Sequence, residues 1–146
     1  MCFLKSRQSK VLIAKKGIVV YKVGQFADNI FFRPYYHGDF KYSTNQIVSE
    51  TVNFTRLIEY GLHSYINCML QPYGSDYIDL YTSAGLLHTM SASTPLFLGK
   101  FIIPKGGTYC MNIYNEVVSD RLIYTGKYVE LKPYKQYNTK ELWKEK

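Results

Sequence analysis

The run "TPLFLGKFIIPKGGTYCMNIY" (94–114) limits the possible folds more than any other stretch of the chain. Its dense apolar residues read as a strand, stopped by Pro104 and a Lys105-Gly106-Gly107 turn, with a second strand resuming at Thr108. A strand of this kind needs neighbours for its backbone groups, and the rest of the chain offers several. "KVLIAKKGIVVYKVG" (10–24) reads as strand, turn, strand, broken at Lys16-Gly17. "QIVSETVNFTRLIEYG" (46–61) fits neither period, and its β-branched residues favour a strand. "FFRPYYHGDFKYS" (31–43), interrupted by Pro34 and Gly38, reads as a loop and strand or an edge ribbon. "DRLIYTGKYVELKPY" (120–134) reads as a hairpin turning at Thr125-Gly126.

Fifteen tyrosines in 146 residues fit this picture, because tyrosine combines high strand propensity with a wet tip on an apolar ring. Three segments point instead to helix. "YINCML" (65–70) is expected to turn helical before Pro72. "GSDYIDLYTSAG" (74–85) has Ser75 as an N-cap and closes at Gly85, which predicts two helical turns. "NTKELWKEK" (138–146) pairs Asn138 with Glu141 as a capping box, with Trp143 as the anchor of a short helix. The expected fold is therefore α+β: one domain over 1–146, mostly antiparallel sheet with a few short helices. Basic extensions are expected at 1–9 and 135–146.

Composition excludes some classes. With 47% hydrophobic and 20% charged residues, the chain is globular in character. No stretch approaches the ~20 consecutive apolar residues of a membrane helix. The basic N-terminus lacks a long apolar run with a small-residue cleavage site, so the expected location is cytoplasmic with no membrane partner. Cys2, Cys68 and Cys110 form neither a disulfide framework nor a metal-ligand pattern. Cys2 follows the initiator Met, as in N-terminal nucleophile enzymes, but Phe3 and Leu4 do not continue that pattern. Eighteen basic against eleven acidic residues give +7, which favours anionic partners. Most of the excess crowds the two ends, as solvated surface more often does than a nucleic-acid groove.

No G-x-S-x-G elbow and no glycine-rich phosphate loop leading into a helix is present, and His37, His63 and His88 are far apart in sequence. We therefore expect no catalytic residue, no metal site and no cofactor. "LHSYINC" (62–68) places His63, Ser64 and Tyr65 on a strand after Gly61, a candidate pocket wall with Cys68 structural. Lys105 sits on a turn whose glycines could offer N–H groups to an anion. Asp120 and Arg121 open a strand, where a local ion pair is the simple reading.

"GIVVYKV", "GLHSY" and "FIIPKGGTY…VSDRLIY", in that order over roughly residues 10–125, resemble a group of small uncharacterised proteins encoded by gut bacteria and their phages. The late apolar-Pro-Lys-Gly segment is also distantly similar to ADP-ribosyltransferases. That resemblance would put Lys22 in place of a first-strand arginine, His63-Ser64 at the serine motif and Asp120 at the catalytic glutamate. All three depart from the active pattern, and an aspartate falls one methylene short.

The leading expectation is a non-catalytic module binding a small anionic, nucleotide-like ligand through Lys22, Arg33, Tyr35, His63, Ser64, Lys105 and Asp120. The resemblance to phage proteins extends it to sequestering a host signal. The alternatives are an ADP-ribosyltransferase-like enzyme and a nucleic-acid or protein interaction module.

Overall fold

The structure is a computed structural model that describes residues 3–4, 10–27, 30–32, 41–54, 57–58, 61–73, 76–91 and 95–143. Among them there is no helix, so the α+β expectation is corrected: the architecture is all-β, built from antiparallel sheets. In chain order the first strands are β1 (Phe3–Leu4), β2 (Val11–Ile13), β3 (Ile18–Ala27), β4 (Ile30–Phe32), β5 (Lys41–Tyr42) and β6 (Ile47–Ser49). Next come β7 (Leu57–Ile58), β8 (Leu62–Tyr65), β9 (Met69–Tyr73), β10 (Tyr77–Thr82) and β11 (Gly85–Ser91). The last are β12 (Phe97–Ile103), β13 (Thr108–Met111), β14 (Glu116–Ser119), β15 (Arg121–Glu130) and β16 (Tyr137–Asn138).

A ten-stranded sheet runs β2-β13-β14-β8-β3-β12-β15-β6, with β4 and β5 attached to the far end of β3. The strand pairings then close a circle. β3 pairs β4, β4 pairs β5, Thr44 just beyond β5 bridges Tyr124 of β15, and β15 returns through β12 to β3. The Asn45 N–H donates to the Tyr124 carbonyl at 2.8 Å and fixes that closure. Inside the ring, Phe31, Tyr42, Phe101 and Tyr124 are fully buried. Phe101 meets Tyr42 edge-on at 4.9 Å, and Phe31 edge-on at 5.1 Å between centroids. Such aromatic pairs stabilise by about 0.5–1.5 kcal/mol beyond the area they bury.

The opposite face of the large sheet carries a second core. Tyr21, Val23, Tyr65 and Leu98 pack there against Leu70, Ile78, Leu80 and Tyr137 of the four-stranded sheet β11-β10-β9-β16. Side chains alternate across a strand, so β3 sends Val20 to the inner core and Tyr21 and Val23 to the sandwich core. His88 of β11 faces Glu116 of β14 at 4.0 Å and links the two layers.

Each expected helix fails for a local reason. Over 76–91, Ile78 and Leu80 alternate at strand period, and the segment forms the β10–β11 hairpin, with Thr89 donating to Asp79 at 2.6 Å. Two turns with caps cannot hold a helix against a complete ladder. After Tyr65, the end of β8, the chain bends at Ile66-Asn67 and crosses to the four-stranded sheet as β9, with Leu70 buried. The Asn138 side chain does accept the Lys140 N–H at 3.0 Å, but only a single turn follows. Asn138 is already paired to β9 and Thr139 is tied to the backbone of Cys68, so the helix has no room to begin. Trp143 is still an anchor: it stacks on Tyr21 at 5.7 Å and 6°. Tyr137, Thr139, Leu142 and Trp143 thus pack against the sandwich, while Asn138, Lys140 and Glu141 face solvent.

The expected hairpin at Thr125-Gly126 is also corrected. β15 runs on to Glu130, and these residues form a bulge opposite Lys100, whose carbonyl accepts the Thr125 hydroxyl at 2.7 Å. Gly126 has φ of 86°, and a Cβ there would lie 2.9 Å from Thr44 Cγ2 at the closing bridge. Gly126→Ala should therefore destabilise the protein by about 1–3 kcal/mol through strained backbone and the pushed bridge. Denaturant unfolding checks this, and a midpoint equal to wild type would remove the bridge from any structural role.

Candidate functional site

The chain turns a corner between β14 and β15. Ser119 and Leu122 both face the inner side, three residues apart, so Asp120 and Arg121 between them are both left to the outer side. The buried Ser119 hydroxyl donates to the Arg121 carbonyl at 3.1 Å and holds the corner. Asp120 is locked to β13: its carboxylate accepts the Thr108 N–H at 2.8 Å, and its own N–H donates to the Thr108 carbonyl at 3.0 Å. Its carbonyl takes the Glu50 N–H at 2.9 Å, which extends the β6–β15 ladder by one pair.

The corner opens onto a cleft of about 480 Å³. Ser49, Glu50 and Thr51 line it beside Asp120 and Arg121 of the paired strand and Thr108 of β13, with Val52 and Phe54 as an apolar floor. The floor packs on buried Cys110 and Val118. Glu50 is the unusual member. Its Oε2 is buried with no hydrogen-bond partner among the described residues. Burial raises its pKa above the ordinary carboxylate value, and a hydrogen bond from the Gly61 backbone partly offsets this. The cleft thus holds an acceptor with no donor among the described residues, a carboxylate fixed by backbone, three hydroxyls and one exposed guanidinium.

The sequence-stretch candidates do not all meet there. Asp120 lines the cleft. Lys22 lies on the opposite side, buried in the inner core, where its Nζ donates to the His63 carbonyl and sits 5.6 Å from the Tyr42 ring centre. Ser64 is buried beside Leu62 on the same inner side, and its hydroxyl finds no hydrogen bond among the described residues. His63 is half-buried on the other face of β8, in register with Val118. Lys105 is exposed, and its turn is no anion nest: the Gly106 N–H donates to the Ala14 carbonyl and the Gly107 N–H to that of Pro104. Arg33 and Tyr35 lie outside the described residues. No Asp120–Arg121 ion pair forms, since the carboxylate is engaged by Thr108.

Glu50, Thr108 and Arg121 as cleft residues were not singled out from the sequence. The available signal was "SET" (49–51), a hydroxyl-carboxylate-hydroxyl triple between β-branched strand residues. Among the described residues no group of His, Cys, Asp and Glu could hold a metal ion, and no helix is long and apolar enough to cross a membrane. Cys68 is buried, and burial pushes its thiol up to about 12, so it remains a structural thiol. No family model matches the chain, and neither a curated protein nor a solved structure matches it.

Two outcomes follow. Cys68 and Cys110 should stay unmodified by iodoacetamide in the native protein at pH 8 and react on unfolding, read by peptide mass spectrometry. Reaction of the folded protein would contradict their burial. A carboxyl with a raised folded pKa stabilises the fold below its unfolded pKa and loses that contribution as pH rises through the folded value. Glu50→Gln should therefore raise Tm at pH 7, with the gain shrinking on acidification through the carboxylate range. A gain independent of pH would show that Glu50 is not desolvated.

Proposed function

We propose that the protein is a non-catalytic binding module that takes a small anionic, nucleotide-like ligand in the Glu50–Asp120–Arg121 cleft. The observation that carries this reading is the convergence, in one concave site, of a buried carboxylate oxygen with no donor among the described residues and an exposed guanidinium. An anionic group suits Arg121, which can clamp phosphate oxygens in a bidentate manner. Adjacent sugar hydroxyls suit Glu50 and Asp120, which accept donors, while Phe54 offers an apolar floor. His63 and Ser64 supply no chemistry to such a site, and Lys22 lies away from it, its buried Nζ engaged with the His63 carbonyl.

The test is a thermal-shift titration with ribonucleotides, their 2′-deoxy forms and the uncharged nucleosides. Ligand that binds the native state stabilises it by mass action, so a site of this kind predicts a shift of several degrees with ribonucleotides. Arg121→Ala should abolish the shift and Glu50→Ala weaken it, while Lys22→Met leaves it intact. An unchanged shift in Arg121→Ala, or no shift with any nucleotide, would overturn the proposal.

A further inference from the structure

We propose that the open edge of β2 is a docking strand for an extended, acidic segment of a partner protein. β2 ends the ten-stranded sheet: it pairs with β13 on one side, and no described strand pairs with the other. Ala14 directs both its N–H and its C=O to the β13 side, at 2.8 Å to Gly107 and Gly106. Backbone groups alternate along a strand, so Leu12 points the same way and Val11 and Ile13 present their N–H and C=O groups to the open side. The side chains are equally uncovered. Val11, Leu12 and Ile13 are 42%, 46% and 66% exposed, three consecutive aliphatic residues with neither face of the strand packed away.

The charge around this edge selects the occupant. Lys10, Lys15 and Lys16 flank β2 and are all exposed, and Lys105 is exposed on the turn that the Gly106–Ala14 bond ties to its end. No acidic residue occurs before Asp28. A second copy pairing edge to edge would set these lysines against their equivalents, on a chain that already carries +7, and like charges across a strand pair oppose association. Nucleic acid would call for aromatic stacking faces, and β2 offers only aliphatic side chains beside unused ladder groups. An acidic strand satisfies all three features: backbone bonds to Val11 and Ile13, apolar contact with the aliphatic row, and carboxylates against the lysines. The site is separate from the cleft and does not depend on it.

The test uses the full chain and a dye-labelled peptide of about six residues, alternating valine and glutamate, a length typical of one strand. Its controls are the same peptide with lysine in place of glutamate and a single-stranded oligothymidine. Binding is read by fluorescence anisotropy, and amide exchange of Val11 and Ile13 is followed in parallel. Ile13→Pro removes an outward N–H and leaves the β13 ladder in place, as edge-strand proline permits. The double substitution Lys15→Glu, Lys16→Glu reverses the charge and carries the test alone if the proline variant does not fold.

The expected result is binding of the acidic peptide, slowed exchange at Val11 and Ile13, and affinity reduced at least about tenfold in either variant. Absence of binding, equal binding of the lysine peptide, displacement by the oligonucleotide, or self-association in place of peptide binding would each overturn it.

Discussion

The contact on which the rest of the architecture depends is the meeting of Thr44 and Asn45 with Tyr124. It is small, one bridge and one backbone bond of 2.8 Å, yet it joins the β3-β4-β5 ribbon to β15 and closes the sheet around its own inner face. Without it, the buried rings of Phe31, Tyr42, Phe101 and Tyr124 would have only one wall. Closure also removes the unpaired edge that the ribbon would otherwise expose. Space for the bridge comes from Gly126, whose missing side chain and positive φ let Thr44 approach. Gly99 serves the inside in a similar way, since a Cβ there would lie 2.9 Å from a Phe101 ring carbon.

Once the sheet is closed, β14 and β15 must pass from one part of it to the other, and the corner at Asp120-Arg121 is the result. The Ser119 hydroxyl and the paired Asp120–Thr108 bonds hold that corner. A cleft with carboxylates and a guanidinium on its walls is thus a by-product of topology that function can use. The same topology separates Lys22 from Asp120. They lie on opposite faces of the sheet, and the buried ammonium of Lys22 is compensated locally by a carbonyl and an aromatic face.

The strands were legible where the sequence carried both apolar runs and breakers. "FLGKFII", bounded by Pro104 and two glycines, and "IVVYKV" after Gly17 became β12 and β3 at the heart of the large sheet. The expected helices do not form because capping residues fix only an end, while the apolar period decides the element. Ser75 and Gly85 frame Ile78 and Leu80, whose spacing is that of a strand. Asn138 does make its capping bond, but the tether from Thr139 to Cys68 had already set the chain's path. Thr125-Gly126 resembled a hairpin turn and is a bulge, because a positive-φ glycine serves both, and only the partner strand decides between them. Of the site, Asp120 was visible and Glu50 was not, since its desolvation depends on Asp120, Gly61 and the floor residues being brought together from afar.

The most direct measurement is native-state hydrogen exchange at the Asn45 amide, compared with the amides that pair β12 with β3. If closure supports the whole fold, Asn45 exchanges only through the same global opening as that central ladder and shares its denaturant dependence. Fast exchange of Asn45, with the β12–β3 amides still protected, would show that the sheet stands without its closing bridge and would contradict this account.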